Sequence, residues 1–158
     1  ELIRDILKNN VTLEADPSKE TFVRQSKTAD IIHIVAHYDS TYILFNKKQY
    51  ILSEILHKIE TDGKIFILNI CRGAMTTSSS PYPVNHESIS HLLMKNKASS
   101  VIAHSWDLSQ EASLKFSGTF YKSINKGQDT LIAFNNSLLK VKNTYTPSEY
   151  GGYTFWGI

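Results

Sequence analysis

Three short stretches of this chain are apolar at nearly every position rather than at alternate ones: Ile31 to Ala36, Lys64 to Ile70, and Ala98 to His104. Continuous apolar runs of this length predict strands covered on both faces, as in a mostly parallel sheet. Between and around them the apolar spacing changes to that of amphipathic helices. Leu2, Ile3, Ile6 and Leu7 fit a helix over Glu1 to Asn10, and further helices are predicted over Ser18 to Thr28, Ser53 to Glu60 and His86 to Lys95. A long helix from Ser109 to about Asn125 is closed by Gly127, and Asp129 caps another running to about Lys142.

Smaller signals fill the gaps. Asp16-Pro17-Ser18 carries turn and capping residues, Ser53 is a candidate N-cap, and Val11 to Leu13 reads as a short strand. Thr41 to Phe45 and Asn46 to Ile51 read as a small β excursion around a polar turn, and Tyr150 to Ile158 as a final strand. Met75 to Pro83 lies in a predicted flexible loop over residues 72–84. Loops that long in a compact domain tend to be functional or disordered. Strands alternating with helices imply an α/β sandwich.

Composition narrows the class without naming it. The 158 residues, 41% of them hydrophobic, are enough for one domain with a real core. The net charge of +2 comes with scattered lysines, and Lys47-Lys48, Lys95 with Lys97, and Lys140 with Lys142 read as solvated faces. No basic stripe tracks a nucleic acid. No apolar run approaches the roughly 20 residues of a membrane span, and no signal peptide is visible. A single cysteine offers no internal disulfide, so a soluble, cytoplasmic protein is expected. The chain opens on Glu1 within a helical pattern, which predicts the later part of a larger protein, with the first strand of the sheet upstream.

The candidate chemistry lies where the apolar runs stop. In open α/β sheets, ligands sit beyond the carboxyl ends of the strands. One run ends at His37-Tyr38-Asp39, one at Cys71-Arg72, and one at His104-Ser105-Trp106-Asp107. If the first two runs are neighbouring parallel strands, a thiol and an imidazole emerge at one sheet edge. An imidazole beside a thiol removes its proton or stabilises the thiolate. The amides of Cys71 and of Tyr38, just past His37, are candidate donors to an acyl oxyanion.

The plainer alternatives stand beside these. A lone cysteine ending a strand is commonly a small buried hydrophobe, and a terminal histidine a satisfied polar cap. His33 and His37 on a strand lie roughly 13 Å apart, too far to share a metal, so His33 is expected to be a buried, hydrogen-bonded core histidine. His104 either is structural or lines the pocket. His57, His86 and His91 belong on helix surfaces, and Tyr150, Tyr153, Phe155 and Trp156 in sheet packing.

Five fragments in order resemble the CHAT domains, caspase-like cysteine peptidases related to caspases, separases and gingipains. They are Ala29 to His37, Ile65 to Cys71, Ala98 to Trp106, Phe120 to Gly127, and Tyr153 to Gly157. The resemblance implies a three-layer α/β/α sandwich, a His37/Cys71 dyad with His33 structural, and peptide hydrolysis through a thioester without metal or organic cofactor. It also implies a protein or peptide substrate and an upstream helical-repeat or sensor region, or an activating partner. Two positions depart from the family pattern. Tyr38 stands where the family usually has Gly, although only a backbone N–H is needed there, and Gln110 stands where an aspartate is expected.

Caspases carry an arginine after a comparable Ser-Trp, where this chain has Asp107. Charge complementarity then predicts a basic P1 residue, with Trp106 packing the neighbouring substrate side chain; the alternative is that Asp107 caps the following helix. The leading expectation is a regulated cysteine endopeptidase. The rivals are a catalytically silent caspase-like interaction module and a cysteine-dependent acyl hydrolase or transferase.

Overall fold

The computed structural model describes residues 2–36, 38–39, 42–45, 48–70, 89–106 and 109–157. Helix α1 (Leu2–Leu7) runs into a 3-10 turn at Lys8–Asn10, and α2 spans Lys19–Ser26. Strand β1 (Ile31–Ala36) is followed by β2 (Tyr38–Asp39), β3 (Tyr42–Phe45) and β4 (Lys48–Ile51), then α3 (Leu52–Leu56) and β5 (Ile65–Ile70). The remainder is α4 (Ile89–Lys95), β6 (Ser100–His104), α5 (Gln110–Ile124), α6 (Thr130–Lys142), α7 (Pro147–Tyr150) and β7 (Tyr153–Gly157).

The three continuous apolar runs are neighbours in one four-stranded sheet, ordered β1-β5-β6-β7. β1 and β6 both pair with β5 in parallel, while β7 closes the sheet antiparallel to β6, with His104 opposite Tyr153 and Ser100 opposite Gly157. Alternate side chains of β1, β5 and β6 enter two separate cores. Ile32, Ile34, Phe66, Leu68, Val101 and Ala103 pack with Ile55, Leu56 and Leu93 of α3 and α4, against which Phe22 and Val23 of α2 also rest. Ile67 and Ile102 face Phe116, Phe120, Ala133 and Phe134 of α5 and α6, with Ile3 and Ile6 of α1 at the margin. Helices on both faces of a mostly parallel sheet make the expected α/β/α sandwich. Phe116 and Phe120 are wholly buried, each contributing about 2–3 kcal/mol of burial free energy.

Local chemistry sets most boundaries. Ser18, Ser109 and Asp129 accept hydrogen bonds from the backbone N–H groups of Thr21, Ala112 and Leu131, capping α2, α5 and α6. Gly127 follows α5 with φ +75°, the left-handed conformation in which a glycine carries no Cβ penalty. At the amino edge of the sheet, the buried Lys64 donates from Nζ to the carbonyls of Ala29 at 2.7 Å and Lys27 at 3.2 Å. Its charge offsets the polar ends of the α2–β1 connection.

The β excursion is a separate antiparallel sheet of β2, β3 and β4, with Tyr38 opposite Ile43 and Tyr42 opposite Ile51. Two local expectations are corrected. Val11–Leu13 forms no strand, because it lies outside both sheets. Helix α3 begins at Leu52 and ends at Leu56, so Ser53 sits inside its first turn and is not its N-cap. The expected loop over 72–84 lies outside the described residues.

Candidate active site at the carboxyl edge of the sheet

The carboxyl ends of β1 and β5 are in register. Their last paired residues are Ala36 and Ile70, and His37 and Cys71 are the next residues along each chain segment. Both members of the expected dyad, and Asp107, lie outside the described residues. So does the amide expected of Cys71. Tyr38 is described as the first residue of β2. The third strand of the edge, β6, ends at His104.

His104 is structural. It is 1% exposed; Nδ1–H donates to the Trp106 carbonyl at 2.5 Å, and Nε2 approaches the Glu149 carbonyl at 3.3 Å. The Tyr153 ring meets it edge-on, with centroids 4.7 Å apart. A Cβ on Gly152 would fall 2.5 Å from His104 Cε1 and 2.8 Å from Trp106 Cε2, so only glycine fits between these rings. Of the two alternatives left by the sequence, pocket lining gives way to a packed, hydrogen-bonded histidine.

Trp106 is 41% exposed, yet one side of it is fixed. Its indole N–H donates to the Ser148 carbonyl, and its ring packs edge-on to His104 at 5.7 Å. Ser109, the N-cap of α5, ties to α7 at a third point: its hydroxyl donates to Glu149 Oε1 at 2.9 Å, while the Thr146 N–H donates to Oε2 at 3.1 Å. These two bonds, the Ser109 bond foremost, hold the Glu149 carboxyl below its ordinary range. Helix α7 thereby clamps Trp106 and Ser109. It was missed from sequence, although Thr146-Pro147-Ser148-Glu149 has a capping-box acid three residues after its threonine and a proline at the first helical position.

A polar seam crosses the apolar interface between the sheet and α5. Ser113, Ser117 and Tyr121 recur every four residues on the sheet-facing side of α5. Asn69 of β5 donates from Nδ2 to Ser113 Oγ at 2.7 Å and Ser117 Oγ at 3.3 Å. His33 of β1 meets the Tyr121 hydroxyl through Nδ1 at 3.1 Å and stacks on its ring. His33 is thus hydrogen-bonded as expected, and half-buried at the margin of the core. Burial lowers its pKa to about 4, leaving the ring neutral near pH 7. Burial likewise holds the Tyr121 phenol and, beside His104, the Tyr153 phenol above their ordinary value. His33 Nε2 is buried with no hydrogen-bond partner among the described residues. The signal for the seam was Asn69, the one polar side chain within Ile65–Ile70.

The chain shares the fold of a known cysteine proteinase. The crystal structure of the Arg-specific cysteine proteinase gingipain R (RGPB) matches with a TM-score of 0.74, covering 99% of this chain and 40% of that chain at 9% sequence identity. At that identity the likeness to gingipain R is one of fold, and it assigns the caspase-like architecture. This chain spans about 40% of the proteinase's length. No family model and no curated protein matches the sequence, so the narrower CHAT resemblance rests on its sequence fragments. Among the described residues, no helix is long and apolar enough to cross a membrane.

Proposed function

We propose that this chain carries the catalytic centre of a caspase-like cysteine endopeptidase, with Cys71 as nucleophile and His37 as its base. One observation carries the reading: β1 and β5 are parallel neighbours whose last register pair, Ala36 and Ile70, immediately precedes the two residues in sequence. The gingipain-like fold adds support at the level of architecture.

In this mechanism His37 takes the thiol proton and the Cys71 sulfur attacks the substrate carbonyl. The amides of Tyr38 and Cys71 stabilise the oxyanion. The proton passes to the leaving amine as the C–N bond breaks, and water hydrolyses the thioester. No metal or organic cofactor is needed.

Asp107 selects a basic P1 residue, and Trp106 packs the neighbouring substrate side chain against its exposed face. Gingipain R is Arg-specific, which agrees in sense with this choice of charge. An upstream sensor or repeat region, or an activating partner, regulates the site.

The test is selective alkylation of Cys71 by iodoacetamide as a function of pH. A dyad gives a reactivity midpoint below the free-thiol value of about 8.5, and His37→Ala slows labelling at pH 7 by at least about tenfold. A midpoint near 8.5 that His37→Ala leaves unchanged overturns the dyad and favours the silent interaction module. Reporter peptides with Arg, Lys, Asp or Leu at P1 test specificity; equal cleavage of all four removes the role of Asp107.

A further inference from the structure

Helix α5 turns Phe116, Ser117, Phe120 and Tyr121 inward, and its outer side forms one wall of a groove of about 470 Å³. Leu2 of α1, Leu114 and Gly118 of α5, and Tyr145 beyond α6 supply its apolar lining. Gly118 keeps the floor low: a Cβ there would come within 2.9 Å of Leu2 Cδ2. Both leucines nevertheless remain open to solvent, Leu2 at 42% and Leu114 at 48%. Around them stand the exposed side chains of Lys115, Lys122 and Lys140, against Glu111 as the single carboxylate of the lining. Lys140, read from sequence as part of a solvated face, therefore belongs to a basic rim around exposed leucines.

We infer that this groove docks an acidic amphipathic helix from a protein partner. Charge fixes the sign of the occupant, since three ammonium groups face one carboxylate. Backbone chemistry fixes its form. No strand of either sheet lines the groove, and its α5 wall is mostly helix backbone already bonded within the helix, so an extended peptide finds no sheet edge to join. Affinity must come from apolar anchors and flanking charge, which a helix supplies at i, i+3, i+4 and i+7. The lining offers one aromatic ring and no arginine, a poor platform for stacked bases, so a peptide is favoured over a single-stranded nucleic acid. Lys115 and Lys122 lie seven residues apart, roughly 10 Å along α5, and span about two turns of a bound helix. The site does not depend on the proposed catalysis. Its Tyr145 directly precedes Thr146 and the α7 clamp on Trp106 and Ser109 in the chain.

The test measures fluorescence anisotropy of the full chain with a fluorescein-labelled peptide of about four helical turns, leucine at i, i+3, i+4 and i+7 spacing and glutamate elsewhere. Saturable binding is expected, at least about tenfold tighter than for a scrambled peptide of the same composition. The double variant Lys115→Glu, Lys122→Glu should lose at least about tenfold in affinity. It should gain binding to the same peptide with lysine replacing glutamate, which also shows that the variant is folded. Equal binding of the scrambled peptide, undiminished binding by the double variant, or displacement of the patterned peptide by a uridine oligonucleotide at equal concentration overturns the inference.

Discussion

The Nδ1 atom of His33 lies 3.1 Å from the hydroxyl of Tyr121, joining β1 to α5 across 88 residues of chain. The contact places a titratable ring inside an interface otherwise built from Ile31, Ile67, Phe120 and their neighbours. A ring kept neutral by burial resists protonation, and folding therefore becomes sensitive to acid.

The sign follows from the depressed pKa. Between the ordinary value of 6.5 and about 4, the unfolded chain binds a proton at His33 that the folded chain refuses. This contribution is fully present above pH 6.5 and lost as pH falls to about 4, amounting to about 3 kcal/mol. Urea unfolding midpoints should fall over that window. In His33→Gln the fall should be shallower by about one proton's worth of slope, and an unchanged slope would show that other groups carry it.

Gly152→Ala should destabilise the fold by about 2–3 kcal/mol, because its methyl group must enter space held by His104 and Trp106. Gly127→Ala meets no neighbouring atom and has only its positive φ to oppose it, so a loss near 1 kcal/mol is expected. Thermal or urea unfolding of the two variants separates steric crowding from backbone strain.

Asn69→Ala removes the donor to the Ser113 and Ser117 hydroxyls, the second of which is 2% exposed. A buried hydroxyl left without its partner should lower stability by about 1–2 kcal/mol. Adding Ser117→Ala should recover part of that loss, a non-additivity readable in a double-mutant cycle.

Ser109→Ala should raise the Glu149 titration midpoint, because the Ser109 hydroxyl is the foremost cause of its depression. Carboxyl carbon chemical shifts followed with pH measure this. The stabilisation from Glu149 is lost as pH falls through its lowered midpoint, and the Ser109→Ala variant should lose it at higher pH.

The parallel strands were legible because burial on both faces leaves a signal no surface element produces. Ile65–Ile70 shows it at almost every residue, whereas Ile31–Ala36 carries the same apolar run at the sheet margin, where Val35 is 75% exposed. Ser109 and Asp129 were legible as caps because capping is local chemistry. Val11–Leu13 failed for the opposite reason: three residues of β-like composition form a strand only where a neighbouring strand accepts them. Helix α7 is four residues long and depends on Ser109, Trp106 and His104, all distant in sequence. The role of His104 was undecidable from its own surroundings, since its second carbonyl neighbour belongs to Glu149, 45 residues away. That β1 and β5 are parallel neighbours could be posed from the sequence only as a condition, and the topology meets it.

The antiparallel closing strand gives the molecule two optical reporters at opposite edges. Trp156 pairs with Val101 near the amino end of β6, whereas Trp106 follows His104 at the carboxyl end. These are the chain's two tryptophans, and both are about 40% exposed. In Trp156→Phe, intrinsic emission comes from Trp106 alone, and its wavelength and quenching by iodide become a label-free readout of any ligand arriving at the carboxyl edge.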